Sequence, residues 1–206
     1  MRERKYFEAA RQLRRAGRLN EGAGYYTSSA FGYLMRFRGL GDDGIEEISP
    51  TNFGYFGRNL FLGALCYRIA GSVERCRTAS EMGVLAVTDV RDNEPAFLEP
   101  VSEPPTGLCH ELIGDFRLVG DLGTAAEAYR AAERSYEATD DPHQWAVEPE
   151  FELLAITMLE LAESAGVELA DEERGSIRYH SLVDRIRFKR DHFETIVTNV
   201  EEAGNW

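Results

Sequence analysis

Leu13-Arg14-Arg15-Ala16-Gly17, Tyr67-Arg68-Ile69-Ala70-Gly71 and Phe116-Arg117-Leu118-Val119-Gly120 are three copies of one phrase. Each is a large apolar residue, an arginine, any residue, a small apolar residue and a glycine. The glycines stand 54 and 49 residues apart. A helix-like run precedes each phrase and another follows it. A helix end that recurs at such a period predicts stacked helical hairpins. It also puts one arginine at the same place in each unit, three residues before the turn glycine.

Working outward, nearly the whole chain carries helical periodicity. Residues 4–16 place Phe7, Ala10 and Leu13 on one side, and residues 20–37 place Ala23, Tyr26, Ala30, Tyr33, Leu34 and Phe37 at spacings of three and four. Gly39 to Gly44 reads as a loop, and Ser49-Pro50-Thr51-Asn52 as the start of a helix that runs to Ala70. A helix over about 73–89 follows, with Ser72 as its candidate cap. Residues 89–107 hold four prolines and five acids with no helical period, which predicts a long loop. Helices resume over 107–119, 123–139, 148–165 and 170–203. Asp171 is a candidate cap for the last, and Gly175 a candidate kink. The expected units are 4–38, 51–90 and 107–140, with a C-terminal hairpin over 148–203. Together they form one all-α domain of about four hairpins.

Aligned on the glycines, the units resemble tetratricopeptide repeats. That motif follows the turn with a small residue five on, an aromatic nine on and a small residue twelve on. The third unit has Gly120, Ala125, Tyr129 and Ala132, with Leu112 and Phe116 before the turn. The first has Gly17, Gly22, Tyr26 and Ser29. The second has Gly71, Cys76, Ser80 and Gly83, without the aromatic. The units exceed the usual repeat of about 34 residues, which is similar to the long-repeat branch of soluble NSF attachment proteins. The resemblance implies a right-handed superhelix whose concave groove is lined by the first helix of each unit. On that wall Arg11, Arg14, Arg58, Arg68 and Arg117 are the candidate anchors for an acidic peptide, with Phe61, Leu65 and His110 beside them. Guanidinium forks suit carboxylates. The competing reading makes Arg14, Arg68 and Arg117 stabilisers of helix C-termini.

Formal net charge is −13, unevenly spread. Residues 1–18 carry +5 and residues 89–173 carry −18, which argues against a nucleic-acid partner. Only Lys5 and Lys189 among the 23 basic residues are lysines. This acidic, arginine-rich composition is similar to that of halophilic archaeal proteins. No apolar run approaches a membrane span, and the charged N-terminus leads into an amphipathic stretch rather than a signal peptide. Cys66, Cys76 and Cys109 lack metal-ligand spacing and read as reduced residues of a cytoplasmic protein.

Catalytic signatures are absent: no Gly-x-Ser-x-Gly, no phosphate loop, no His-Glu-x-x-His. The expected function is a non-catalytic adaptor that needs no cofactor or metal and binds a protein or acidic peptide in its groove. The alternative is an enzyme, small-ligand or metal binder around His110 and Asp115, or around His180 and Asp184. A homodimer through the last helix is a further option. The basic stretch 178–190, with Tyr179 and Phe188, is read either as a nucleic-acid face, which Asp184 and Asp191 interrupt, or as a partner for the acidic segment of the same chain.

Overall fold

The computed structural model describes residues 2–39, 50–93, 103–139, 145–204 and 206. They form α1 (Arg2–Arg15), α2 (Leu19–Phe37), α3 (Pro50–Ile69), α4 (Val73–Asn93), α5 (Glu103–Val119), α6 (Ala126–Glu137), α7 (Pro149–Ser164), the short α8 (Asp171–Gly175), a π-helical turn (Ser176–His180) and α9 (Leu182–Ala203). No strand occurs among the described residues, and no helix is long and apolar enough to cross a membrane.

The repeated phrase closes hairpins in two geometries. At the first turn the Arg18 N–H donates to the Leu13 carbonyl and the Gly17 N–H to Arg14. At the second, Ser72 donates to Tyr67 and Gly71 to Arg68. These paired bonds satisfy helix-end carbonyls and require a left-handed residue; Gly17 has φ +73 and Gly71 φ +68. The third turn is shifted by one residue. Leu122 donates to Arg117 and Asp121 to Leu118, so the left-handed residue is Asp121, with φ +50. Gly120 serves a different need there. A Cβ on it would lie 2.4 Å from the Ser80 Cβ, so its lack of a side chain lets α5 end against α4.

Consecutive helices pack from α1 through α6, each on the next. Gly83 brings α4 against the Phe116 ring, and Gly54 and Gly57 let α3 meet Glu150 and Leu112. Helix α3 is the centre of the molecule. Twelve of its 20 residues are buried, as expected of a helix that is apolar all round. The reason lies in the C-terminal helices: α7 packs along α3, and α9 packs on α6 and α7 and touches α3 and α5. The side of α3 and α5 that the sequence assigns to an open groove is therefore largely covered by the chain itself.

Local expectations are corrected in three places. Helix α4 continues to Asn93, and α5 starts at Glu103 with Pro104 and Pro105 in its first turn, where proline costs little. Residues 89–93 and 103–107 of the expected loop are thus helical, and residues 94–102 lie outside those described, as does all but Gly39 of the loop expected over 39–44. Ser72, the candidate cap, stands directly before α4, and its hydroxyl donates to Asn20 Oδ1 at 2.7 Å. Asp171 does not cap α8, since the cap position is Ala170 and no side chain bonds there. The kink expected at Gly175 is a π-helical turn followed by a break, after which Ser181 Oγ accepts the Asp184 N–H and caps α9.

Candidate arginine cavity

Three of the predicted anchors meet in one cavity of about 420 Å³. Helix α1 contributes Phe7, Arg11, Arg14 and Arg15 at the spacing that puts one helix face on the wall. Tyr26 comes from α2, Arg58 and Leu62 from α3, and Glu160, Glu163 and Ser164 from α7. Trp206 closes one side.

The Arg14 and Arg58 guanidinium groups lie over rings rather than against carboxylates. Arg14 lies 4.5 Å from the Trp206 ring centroid and Arg58 4.8 Å from that of Phe7. Arg58 Nε donates to Thr157 Oγ1 at 3.0 Å, its one hydrogen bond among the described residues. Burial lowers its pKa, with Glu160 acting in the opposite direction. The Arg14 Nε is buried and has no hydrogen-bond partner among the described residues. Arg11 reaches Glu8 at 4.0 Å, a loose surface pair. Burial pushes the Tyr26 hydroxyl up to about 12, against the pull of Arg14, Arg58 and Arg11. Four arginines against two glutamates leave the cavity wall net positive in a strongly acidic protein.

Arg68 and Arg117 are elsewhere. They line a second cavity of about 340 Å³ with Arg190, Glu194 and the residues that start α6. Arg68 Nε pairs with Glu201 at 2.6 Å, and its Nη1 bonds the Leu118 and Val119 carbonyls at 3.1 and 3.3 Å. Arg68 thus joins α3 to the end of α5 and to α9. The expected row of Arg14, Arg68 and Arg117 is split between two cavities. Phe61 and Leu65 are core residues, 3% and 0% exposed, and Phe61 stacks on Phe193 of α9 at 5.8 Å. They are covered because α9 lies where the open groove was expected.

His110 and Asp115 face different neighbours. Burial and the positive charges of Arg91 and Arg134 lower the pKa of His110. Asp115 belongs to a buried ionic network that the sequence alone did not disclose. Lys189 Nζ lies 2.8 Å from Glu111 Oε1 and 2.6 Å from Asp115 Oδ2. Arg185 Nη2 donates to Glu111 Oε2 at 2.7 Å and its Nη1 to the Phe151 carbonyl at 2.8 Å. Tyr136 donates to Glu111 at 2.6 Å and Tyr129 to Asp115 at 2.9 Å. Two cations balance two carboxylates, and every member is buried. Burial opposes ionisation of Glu111, yet Arg185 and Lys189 hold it down at about 2. Burial and the nearby Glu111 charge raise Asp115 to about 6 despite Lys189. This network ties α9 to α5, α6 and α7.

The basic stretch 178–190 pairs with the chain's own acidic segment. Besides the buried pairs, Arg178 meets Glu152, Arg187 meets Glu133 and Glu137, and Arg190 meets Glu133. The apolar residues of α9, including Ile186, Phe193, Ile196 and Val200, are buried in the same fold. Asp184 is bonded to Ser176, and His180 packs its ring against Tyr179. Among the described residues no three His, Cys, Asp or Glu side chains gather as metal ligands.

Comparison with known proteins finds no matching family model, no matching curated protein and no matching solved structure. The functional reading therefore rests on the cavity itself.

Proposed function

We propose that this chain is a non-catalytic cytoplasmic binding protein whose arginine cavity receives an acidic segment of a partner protein. On this reading α1 to α6 are tetratricopeptide-like hairpins of a right-handed superhelix. The C-terminal helices close most of its concave side and leave the cavity at the α1 end. The observation that carries the proposal is the convergence of Arg11, Arg14 and Arg58 on one space, with Arg14 and Arg58 lacking a carboxylate partner among the described residues. Stacked on Trp206 and Phe7, their planes are pre-set, so fewer rotamers are lost when they grip a carboxylate. The +5 charge of residues 1–18 supplies a local field that draws an anion toward α1.

The test is fluorescence anisotropy with a labelled glutamate-rich peptide. The R11Q/R14Q/R58Q variant is expected to lose at least about tenfold in affinity, since each charge-assisted hydrogen bond contributes about 1.5–3 kcal/mol. The R68Q/R117Q variant should bind as wild type does. Unchanged binding by the first variant, with its melting curve intact, would overturn the proposal.

A further inference from the structure

The arginine cavity has two walls of opposite charge that form no ion pair with each other among the described residues. Helix α1 presents Arg11 and Arg14, joined by Arg58 of α3, and α7 presents Glu160 and Glu163. Opposite charges within reach usually close into pairs. Here Arg58 is turned to Thr157 and Phe7, and Arg14 to Trp206. The Glu160 and Glu163 carboxylates make no hydrogen bond or ion pair among the described residues, and Glu160 acts on Arg58 only through its field. The space between the walls is large enough for a side chain and its neighbour. A purely anionic ligand gains from the arginines alone, whereas one that also carries a cation gains from the two glutamates as well.

Resting on the reading of this cavity as a binding site, we propose that its ligand is zwitterionic. A carboxylate lies on Arg14 and Arg58, a cation lies on Glu160 and Glu163, and the apolar stem between them packs on Phe7 and Trp206. The source we favour is a partner peptide with an acidic residue followed closely by a basic one. A free α-amino acid has the same chemistry on a shorter stem.

Isothermal titration with four probes separates these cases. The probes are the blocked peptides Ac-Leu-Glu-Ala-Lys-NH2, Ac-Leu-Glu-Ala-Gln-NH2 and Ac-Leu-Gln-Ala-Lys-NH2, and free leucine. The first is expected to bind about threefold or more tighter than the second, and the third to be the weakest of the three peptides. In E160Q/E163Q, whose changed residues lie at the cavity rim, the first two should become equal while the second keeps or gains affinity. In R14Q/R58Q both should be lost. Tighter binding of free leucine than of any peptide supports the zwitterion with the free amino acid as its source. If the first two peptides bind wild type equally, the zwitterion is refuted while the acidic-segment reading survives. If neither glutamate peptide nor leucine binds, both fall.

Discussion

Replacing Lys189 with Met tests the buried network that holds the C-terminal helices on the rest of the fold. The ammonium sits 2.8 Å from Glu111 and 2.6 Å from Asp115, with 1% of the side chain exposed. Met keeps most of the length and removes the charge. Glu111 retains Arg185 and Tyr136, but Asp115 is left with only the Tyr129 hydroxyl. Breaking a buried pair from one side costs about 3–5 kcal/mol. The pH dependence follows from Asp115, whose pKa is raised from 3.8 to about 6 by burial and by Glu111. A carboxyl raised in this way adds stability below its unfolded value, and that stability is lost as the pH rises through its folded value. Without Lys189 the folded value climbs further, so the variant goes on losing stability above pH 6 where wild type does not. The gap between the two should widen by about 1.4 kcal/mol per pH unit over that interval. Glu111 loses the Lys189 contribution in the variant but keeps Arg185 and the Tyr136 hydroxyl, which both favour its charged form. Urea unfolding at pH 5 and pH 8 measures both gaps. A gap under about 1 kcal/mol at pH 8, or one equal at the two pH values, would refute the reasoning. The double variant K189M/D115L removes both partners and should recover most of the loss.

Other outcomes follow from single features. Gly71→Ala should cost about 1–2 kcal/mol through its left-handed φ of +68, whereas Asp121→Gly should be neutral or stabilising by up to about 1 kcal/mol. Gly120→Ala should destabilise by collision with Ser80 and be relieved by Ser80→Gly, a rescue measurable by thermal melting. Cys66, Cys76 and Cys109 are buried, and burial pushes their thiols up to about 12, 11 and 12. A thiol reagent at pH 8 should therefore label them only in denaturant. The midpoint of unfolding should rise between low and molar salt because screening shortens the repulsion within the −18 segment.

The helices were legible because their cause is local. The repeated phrase marks three hairpin ends, and spacing by three and four marks the apolar faces. The shift at Asp121 was not legible, since it depends on where Ser80 of α4 comes to lie. The same limit divided the arginine row. Arg14, Arg68 and Arg117 share a sequence context, but Arg68 meets Glu201 and Arg14 meets Trp206, both from the far end of the chain. Arg11, Arg14 and Arg58 did come together, because α1 and α3 both pack on α2. The ionic network was visible only as a charge pattern: basic residues at 185 and 189, acidic ones at 111 and 115, each pair spaced by one helical turn. That spacing is a usable signal once two helices are known to face each other. The covering of α3 was signalled by its apolar character on every side, including Phe61 and Leu65.

The central claim is that Arg14 and Arg58 grip an anionic segment in the α1 cavity. It is tested most directly by the arginine side-chain Nε–Hε resonances in an NMR titration with a glutamate-rich peptide. The account predicts that the signals of Arg14, whose Nε has no hydrogen-bond partner among the described residues, and Arg58, whose Nε is bonded to Thr157, shift together along one saturating curve. The Arg68 signal, locked to Glu201, should stay in place. Shifts confined to Arg68 and Arg117, or no arginine shift at saturating peptide, would contradict it.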